Sequence, residues 1–232
     1  MGKVKIKKSD IWIDMTPMSD VMTLLLTFFM LTSTFIKNEP VRVNTPGTVS
    51  TAKVPETNTL SITISPEMKK GADGKEEPTG NGLVFLGMTN AEQLGQILEK
   101  MSPELAKNAT LKKIFESQAQ FGVPLDKLNV FLAANDAQRA KILTGEEPTI
   151  KAGIPLDSIE GGMSEFQKWI TAAVGVNNDI DLIIKSDSKT PYKTVKKVMS
   201  ELQDMGESHY YLATQLDGKK VSAASDYVLS SK

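Results

Sequence analysis

One carboxyl constrains this chain more than any other group. Asp20 lies inside the only membrane-length apolar run of the sequence, Pro17 to Ile36 (PMSDVMTLLLTFFMLTSTFI). As a helix these twenty residues reach about 30 Å at ~1.5 Å per residue, the thickness of a bilayer's hydrocarbon layer. An ionised Asp at the centre of a spanning helix costs roughly 2.5–3.5 kcal/mol, and less toward an end. A chain that needed only an anchor would carry Leu or Val there. An ionisable group in such a run is therefore a functional-site candidate, with proton relay among its commonest uses. A bland alternative stands beside it. Asp20 is in the second turn, where the helix macrodipole favours a carboxylate, and it could sit at the headgroup level without a task.

The other polar residues of the run favour the functional reading. Asp20, Thr23, Thr27 and Thr34 are spaced by three, four and seven, which puts them on one helical face. Leu24, Leu25, Phe28 and Phe29 fall largely off that stripe. A carboxyl on a threonine stripe must face protein or water, so the helix is expected to pack in a bundle supplied by other subunits. Pro17 suits the first helical turn and Thr16 is the expected N-cap. Lys37, Asn38, Glu39 and Pro40 end the run. Lys3, Lys5, Lys7 and Lys8 would fit a signal peptide, but Asp10, Asp14, Asp20 and the lack of a small-x-small site favour an uncleaved anchor. The same lysines, against Lys37 and Arg42 beyond the span, predict a cytoplasmic N-terminus and a distal domain outside the cytoplasm.

Composition narrows the remainder. Net charge is −1, so there is no electrostatic footprint for nucleic acid. The sequence has no Cys and one His, His209, which leaves few routes to nucleophile–base pairs or zinc sites. The glycine clusters at 71–75 and 80–82 lack phosphate-loop spacing. No enzyme activity and no cofactor other than the coupling proton are expected.

The expected organisation is a cytoplasmic tail and lead-in (1–16), the membrane helix (17–36), a flexible linker (37–58), a compact domain (59–216) and a loose tail (217–232). The linker reading rests on Pro, Thr, Asn and Val without helical period. In the domain, 59–65 alternates as a half-buried strand, 66–82 reads as a polar turn region, and 83–86 as a short second strand. Thr89 is the expected cap of a helix, with Glu92 at the capping-box offset. One helix is expected from Pro103 to Gln120. A second begins near Pro124, although 130–132 could equally be a strand. Further helices are expected over 136–143, 158–174 and 191–205, with strands over 179–185 and 210–215. The fold class is α/β, a two-layer sandwich with a helical insertion at about 102–160, following one N-terminal transmembrane helix.

Lys189, Lys193, Lys196 and Lys197 form a basic edge. It is either a solvated helix face or a docking face for an acidic partner segment or cell-wall polymer. A strand edge at 59–65 or 210–215 is available for strand addition by a partner.

Two stretches carry a resemblance. Residues 13–30 (IDMTPMSDVMTLLLTFFM) place Thr16, Pro17, Asp20, Val21, Leu24, Leu25, Phe29 and Met30 in the order and spacing of the ExbD/TolR signature. Residues 180–187, Tyr192, Val195 to Leu202 and Gly206 resemble that family's closing strand–helix–strand, with Ser186 for the common Ala and Met205 for the small residue before Gly206. The segment 102–160 has no counterpart in short family members and is expected to serve partner specificity. The resemblance implies that Asp20 is the proton-carrying aspartate. It implies a homodimer inside a pentameric ring of ExbB- or TolQ-like channel subunits in the cell inner membrane. It further implies a periplasmic domain that passes motion to a TonB-like protein serving outer-membrane transport. A TolR-like subunit for envelope constriction, contacting peptidoglycan, is the alternative within the family. A motility motor is more distant. A tethered scaffold domain without energy coupling is the alternative outside it.

Overall fold

The computed structural model of the chain describes residues 14–32, 39–48, 55, 57–70, 76–147, 150–157, 162–207 and 209–216. They fall into two units, 1–36 and 37–232.

The first unit is described as a single helix, α1, Thr16–Thr32. Its cap is not the expected one. Thr16 is already helical, and Asp14 Oδ1 accepts both the Thr16 N–H, at 3.0 Å, and the Thr16 hydroxyl. A carboxylate suits that position because it accepts two donors at the positive end of the helix dipole. Pro17 follows in the first turn, where a missing N–H costs nothing. Over its 17 described residues α1 is about 25 Å long at ~1.5 Å per residue. Among the described residues no helix is long and apolar enough to cross a membrane. The expected end of the span, 33–36, lies outside the described residues, as does the expected tail, 217–232.

The second unit runs in the order β1 (Gly47–Thr48), β2 (Thr59–Lys70), β3 (Glu76–Met88), α2 (Ala91–Met101), α3 (Pro103–Ala106), α4 (Ala109–Ser117), α5 (Leu128–Ala133), α6 (Asp136–Thr144), α7 (Glu165–Val174), β4 (Asp181–Ser186), α8 (Tyr192–Asp204), β5 (Tyr210–Ala213) and β6 (Gln215–Leu216). Four strands form a mixed sheet in the order β3-β2-β4-β5. β2 pairs antiparallel with β3 and parallel with β4, and β4 pairs parallel with β5 across the α8 crossover.

The pleat sorts the residues. Leu60, Ile62 and Ile64 stand opposite Leu182 and Ile184 on one face and enter one core with Leu94, Ile97 and Leu98 of α2, Phe166 and Ile170 of α7, and Val198 and Leu202 of α8. On the other face Thr63 stands opposite Phe85, and both are fully buried, so that face is covered as well.

Local chemistry moves several expected boundaries. The hairpin is much longer than 59–86 with a turn at 66–82. Both strands run on through Pro66, Pro78, Gly80 and Gly82, because a register shift between Pro66 and Met68 absorbs the breakers. The cap of α2 is Asn90, whose side chain accepts from Glu92 N and Gln93 N, and Thr89 instead bonds Thr59 through its hydroxyl at 2.8 Å. The expected helix 103–120 is two helices, because Asn108 starts a new one by accepting from Thr110 N. Residues 130–132 are helical, within α5. The helix expected from 158 starts at Glu165, where Ser164 and Gln167 close a capping box. Gly145, at φ 78°, ends α6 in the left-handed conformation that glycine adopts without a Cβ penalty.

Two larger differences matter for function. The stretch read as a flexible linker is bound into the domain over 39–48. Val41 is buried, Asn44 N–H reaches Asp187 Oδ2 at 2.8 Å, Lys185 pairs with Glu39 at 3.3 Å, and β1 pairs parallel with β6. The helical segment at 102–160 is not peripheral. Phe115 and Phe121 pack against each other and against Trp169 of α7, with ring centroids 4.8 to 6.1 Å apart. Phe121 also exchanges backbone hydrogen bonds with Leu86 at 2.7 and 2.8 Å, which covers the outer edge of β3.

Candidate functional site

Asp20 sits in the second turn of α1, and it is the only ionisable residue between Thr16 and Thr32. Every large apolar side chain from Val21 to Leu31 is more than half exposed. A contiguous run of exposed large apolar side chains marks a membrane or protein contact. A carboxyl inside that surface has no solvation of its own once the helix is covered.

The threonine stripe has a definite hydrogen-bond state. Thr23 Oγ1 donates to Ser19 O at 2.9 Å, and Thr27 Oγ1 donates to Leu24 O at 3.0 Å. Thr32 does the same with Phe28 O at 2.8 Å. Back-bonding of this kind satisfies a hydroxyl inside an apolar medium without a partner helix. The oxygen lone pairs stay free to accept, so Thr23 and Thr27 remain usable as acceptors beside Asp20. Thr34 lies outside the described residues. Thr16, one turn before Asp20, is tied to Asp14, and these hydrogen bonds hold the Asp14 carboxyl below its usual range.

The four lysines of the basic edge do not act as one patch. Lys197 pairs with Asp157. Lys189 lines a cleft of about 580 Å³ between the strap at 40–44, the far half of β2 and the end of α6. Lys193 and Lys197 line a second cleft of about 240 Å³. Lys196 lines neither cleft and is exposed. The two clefts share Leu83, Lys151 and Ala152 as a common wall. Lys151 is the residue that sequence reasoning missed. It is an isolated Lys in an irregular segment, and only the fold brings it beside Lys189 and Lys193.

Other candidates resolve simply. His209 is exposed. Among the described residues no group of His, Cys, Asp and Glu is placed to hold a metal ion. Of the two candidate strand edges, 59–65 is central, between β3 and β4, while β5 is a sheet edge with Tyr211 and Leu212 exposed.

The family model described as "Biopolymer transport protein ExbD/TolR" matches residues 7–217, which covers most of each unit and all of the segment at 102–160. No curated protein and no solved structure matches the chain.

Proposed function

Because the chain belongs to the ExbD/TolR family of biopolymer transport proteins, we propose that it is a proton-driven subunit in which Asp20 carries the proton. The observation that carries this reading is the single carboxyl on α1, set among apolar side chains that are otherwise uncovered. In this reading α1 crosses the inner membrane with its N-terminus in the cytoplasm, and the second unit lies in the periplasm. Two copies sit inside a ring of ExbB- or TolQ-like subunits. The partner that receives the motion is a TonB-like protein.

The cycle follows from charge. Asp20 takes a proton from the periplasmic side, becomes neutral, and moves along the apolar ring wall without the cost of burying a charge. It releases the proton toward the cytoplasm and, once ionised, is held by polar groups of the ring. One charge crossing about 100 mV is worth roughly 2.3 kcal/mol, several times thermal energy, so one proton biases one step. The protein performs no covalent chemistry in this cycle, and the proton is its only coupling ion.

The test is Asp20→Asn in the native membrane, scored for complex assembly and for proton-driven uptake. Asn is isosteric and cannot ionise. Normal assembly with lost uptake supports the reading. Normal uptake would make the carboxyl a bystander at the headgroup level and the chain a tethered binding domain.

A further inference from the structure

On the face of α1 that carries Asp20, the next polar side chain toward the helix start is Thr16. The two are four residues apart, so their Cβ atoms lie about 5–6 Å from each other. Helical side chains lean toward the N-terminus, which tilts the Asp20 carboxyl toward the turn that carries Thr16. Along the axis that turn covers ~6 Å and ends at the first residue of α1.

The threonine hydroxyls of α1 differ in where their protons go. Thr23 donates to Ser19 O, Thr27 to Leu24 O and Thr32 to Phe28 O. A backbone carbonyl accepts such a hydrogen bond but is too weak a base to take the proton. Thr16 Oγ1 donates instead to Asp14 Oδ1, a carboxylate, which can take it. Asp14 is exposed, and its other oxygen, Oδ2, has no partner among the described residues. No ionisable residue lies between Asp14 and Asp20. The hydrogen bonds from Thr16 hold the Asp14 carboxyl below its usual range, so a proton that reaches it passes on to water. A helix start needs only the bond from the Thr16 N–H, at 3.0 Å. The bond from the hydroxyl joins Asp14 to the face of Asp20.

We propose that Thr16 and Asp14 are the proton's exit from Asp20 to the cytoplasm, with the Thr16 hydroxyl as the bridge and the Asp14 carboxylate as the terminal acceptor. This rests on the reading of Asp20 as the proton carrier and supplies its last step. Protonated Asp20 gives its proton to Thr16 Oγ1, directly or through one water, as Thr16 gives its own hydroxyl proton to Asp14 Oδ1. One O–H bond breaks at Asp20, one forms at Asp14, and the Thr16 hydroxyl is regenerated. Asp14 then releases the proton to cytoplasmic water, and rotation of the Thr16 hydroxyl restores its bond to Asp14.

The test measures proton flux through the assembled complex in native membrane vesicles under an imposed proton gradient, with Asp20→Asn run alongside. Asp14→Asn keeps an oxygen for Thr16 at the helix start but cannot take a proton. It should slow flux by about tenfold or more, and Asp14→Glu should recover most of the loss. Buffer added on the cytoplasmic side should speed Asp14→Asn, because a mobile base replaces the lost acceptor, and should not speed the parent. A purely structural role gives no such recovery. Thr16→Val should also slow flux, with most of it recovered in Thr16→Ser. Asp14→Ser, an equally good helix start, serves as the second variant where Asp14→Asn does not assemble. Full flux in Asp14→Asn overturns the exit, as does slowed flux that buffer does not raise. Loss of assembly in the Asn and Ser variants alike overturns it too, because Asp14 is then a residue of the fold. Flux that persists in Asp20→Asn removes the Asp20 reading and the exit with it. Flux lost in Asp20→Asn and kept in Asp14→Asn removes the exit alone.

Discussion

Gln120 Oε1 accepts the backbone N–H of Val41 at 3.2 Å, across 79 positions of sequence. The same carboxamide donates through Nε2 to Thr63 Oγ1 at 3.3 Å, and Gln120 and Thr63 are both buried. One side chain of the segment at 102–160 thus fastens the strap at 39–48 to the centre of the sheet. Gln120→Leu removes both bonds and leaves two buried polar groups unpaired, at about 1–3 kcal/mol each before relaxation. The expected outcome is a lower unfolding free energy and faster amide exchange at Val41. Unchanged exchange there would mean that the strap is held by its other contacts alone.

The aromatic cluster makes the same segment structural. Phe115 is fully buried, with its ring 4.9 Å from that of Phe121 and 6.1 Å from that of Trp169. Phe115→Ala should destabilise the second unit by about 3–5 kcal/mol, measured by denaturant unfolding. Deleting the segment with a short bridge would remove core rather than an appendage, so loss of folding is expected instead of a clean loss of partner specificity. A well-folded deletion variant would restore the view of 102–160 as a separable insertion.

The close approach of the segment to the sheet can be tested at one glycine. A Cβ on Gly87 would lie 2.5 Å from the Ala119 carbonyl oxygen, and a backbone atom cannot swing away. Gly87→Ala should cost about 1–3 kcal/mol through overpacking, read as a lowered thermal midpoint. An unchanged midpoint would show that the 118–121 loop lies farther from β3.

Much of this was readable in sequence where side chains carry the pattern. The alternation from Thr59 to Ser65 marked β2, and the apolar spacing of Val195, Val198, Met199 and Leu202 marked α8. Asp20 declared itself because a carboxyl is rare in such surroundings. What stayed hidden depends on backbone or on distance. The strap is held largely by main-chain N–H groups of Val41 and Asn44, which leave no trace in residue type. The breakers between Pro66 and Gly82 read as a turn because a bulge that tolerates them is invisible until the register is known. Lys151, Lys189 and Lys193 are scattered in sequence, and only folding brings them to adjoining clefts.

Glu165 gives a pH dependence with a definite sign. Burial raises its carboxyl above the usual range, more than the hydrogen bond from Leu125 N–H at 2.6 Å lowers it. A raised folded value means that the folded state binds the proton more tightly than the unfolded one. Its contribution to stability is then fully present below the unfolded value and is lost as pH rises through the folded value. Glu165→Gln should flatten the stability profile over that window while keeping an oxygen for Leu125. A profile identical to the parent's would assign the pH dependence to other carboxyls.

The threonines beside Asp20 separate packing from proton handling. Their hydroxyl protons are already given to Ser19 O and Leu24 O, so what they offer to a proton path is an accepting oxygen. Val keeps the shape and removes that oxygen, whereas Ser keeps the oxygen and removes a methyl group. If Thr23 and Thr27 line the path, Thr23→Val with Thr27→Val should slow proton-driven uptake, and the paired Ser variant should restore most of it. A packing role reverses the order, because the Val pair fills the same volume and the Ser pair leaves small voids. Uptake by the two pairs, measured at equal assembly of the complex, therefore decides between an oxygen that conducts and a methyl group that packs.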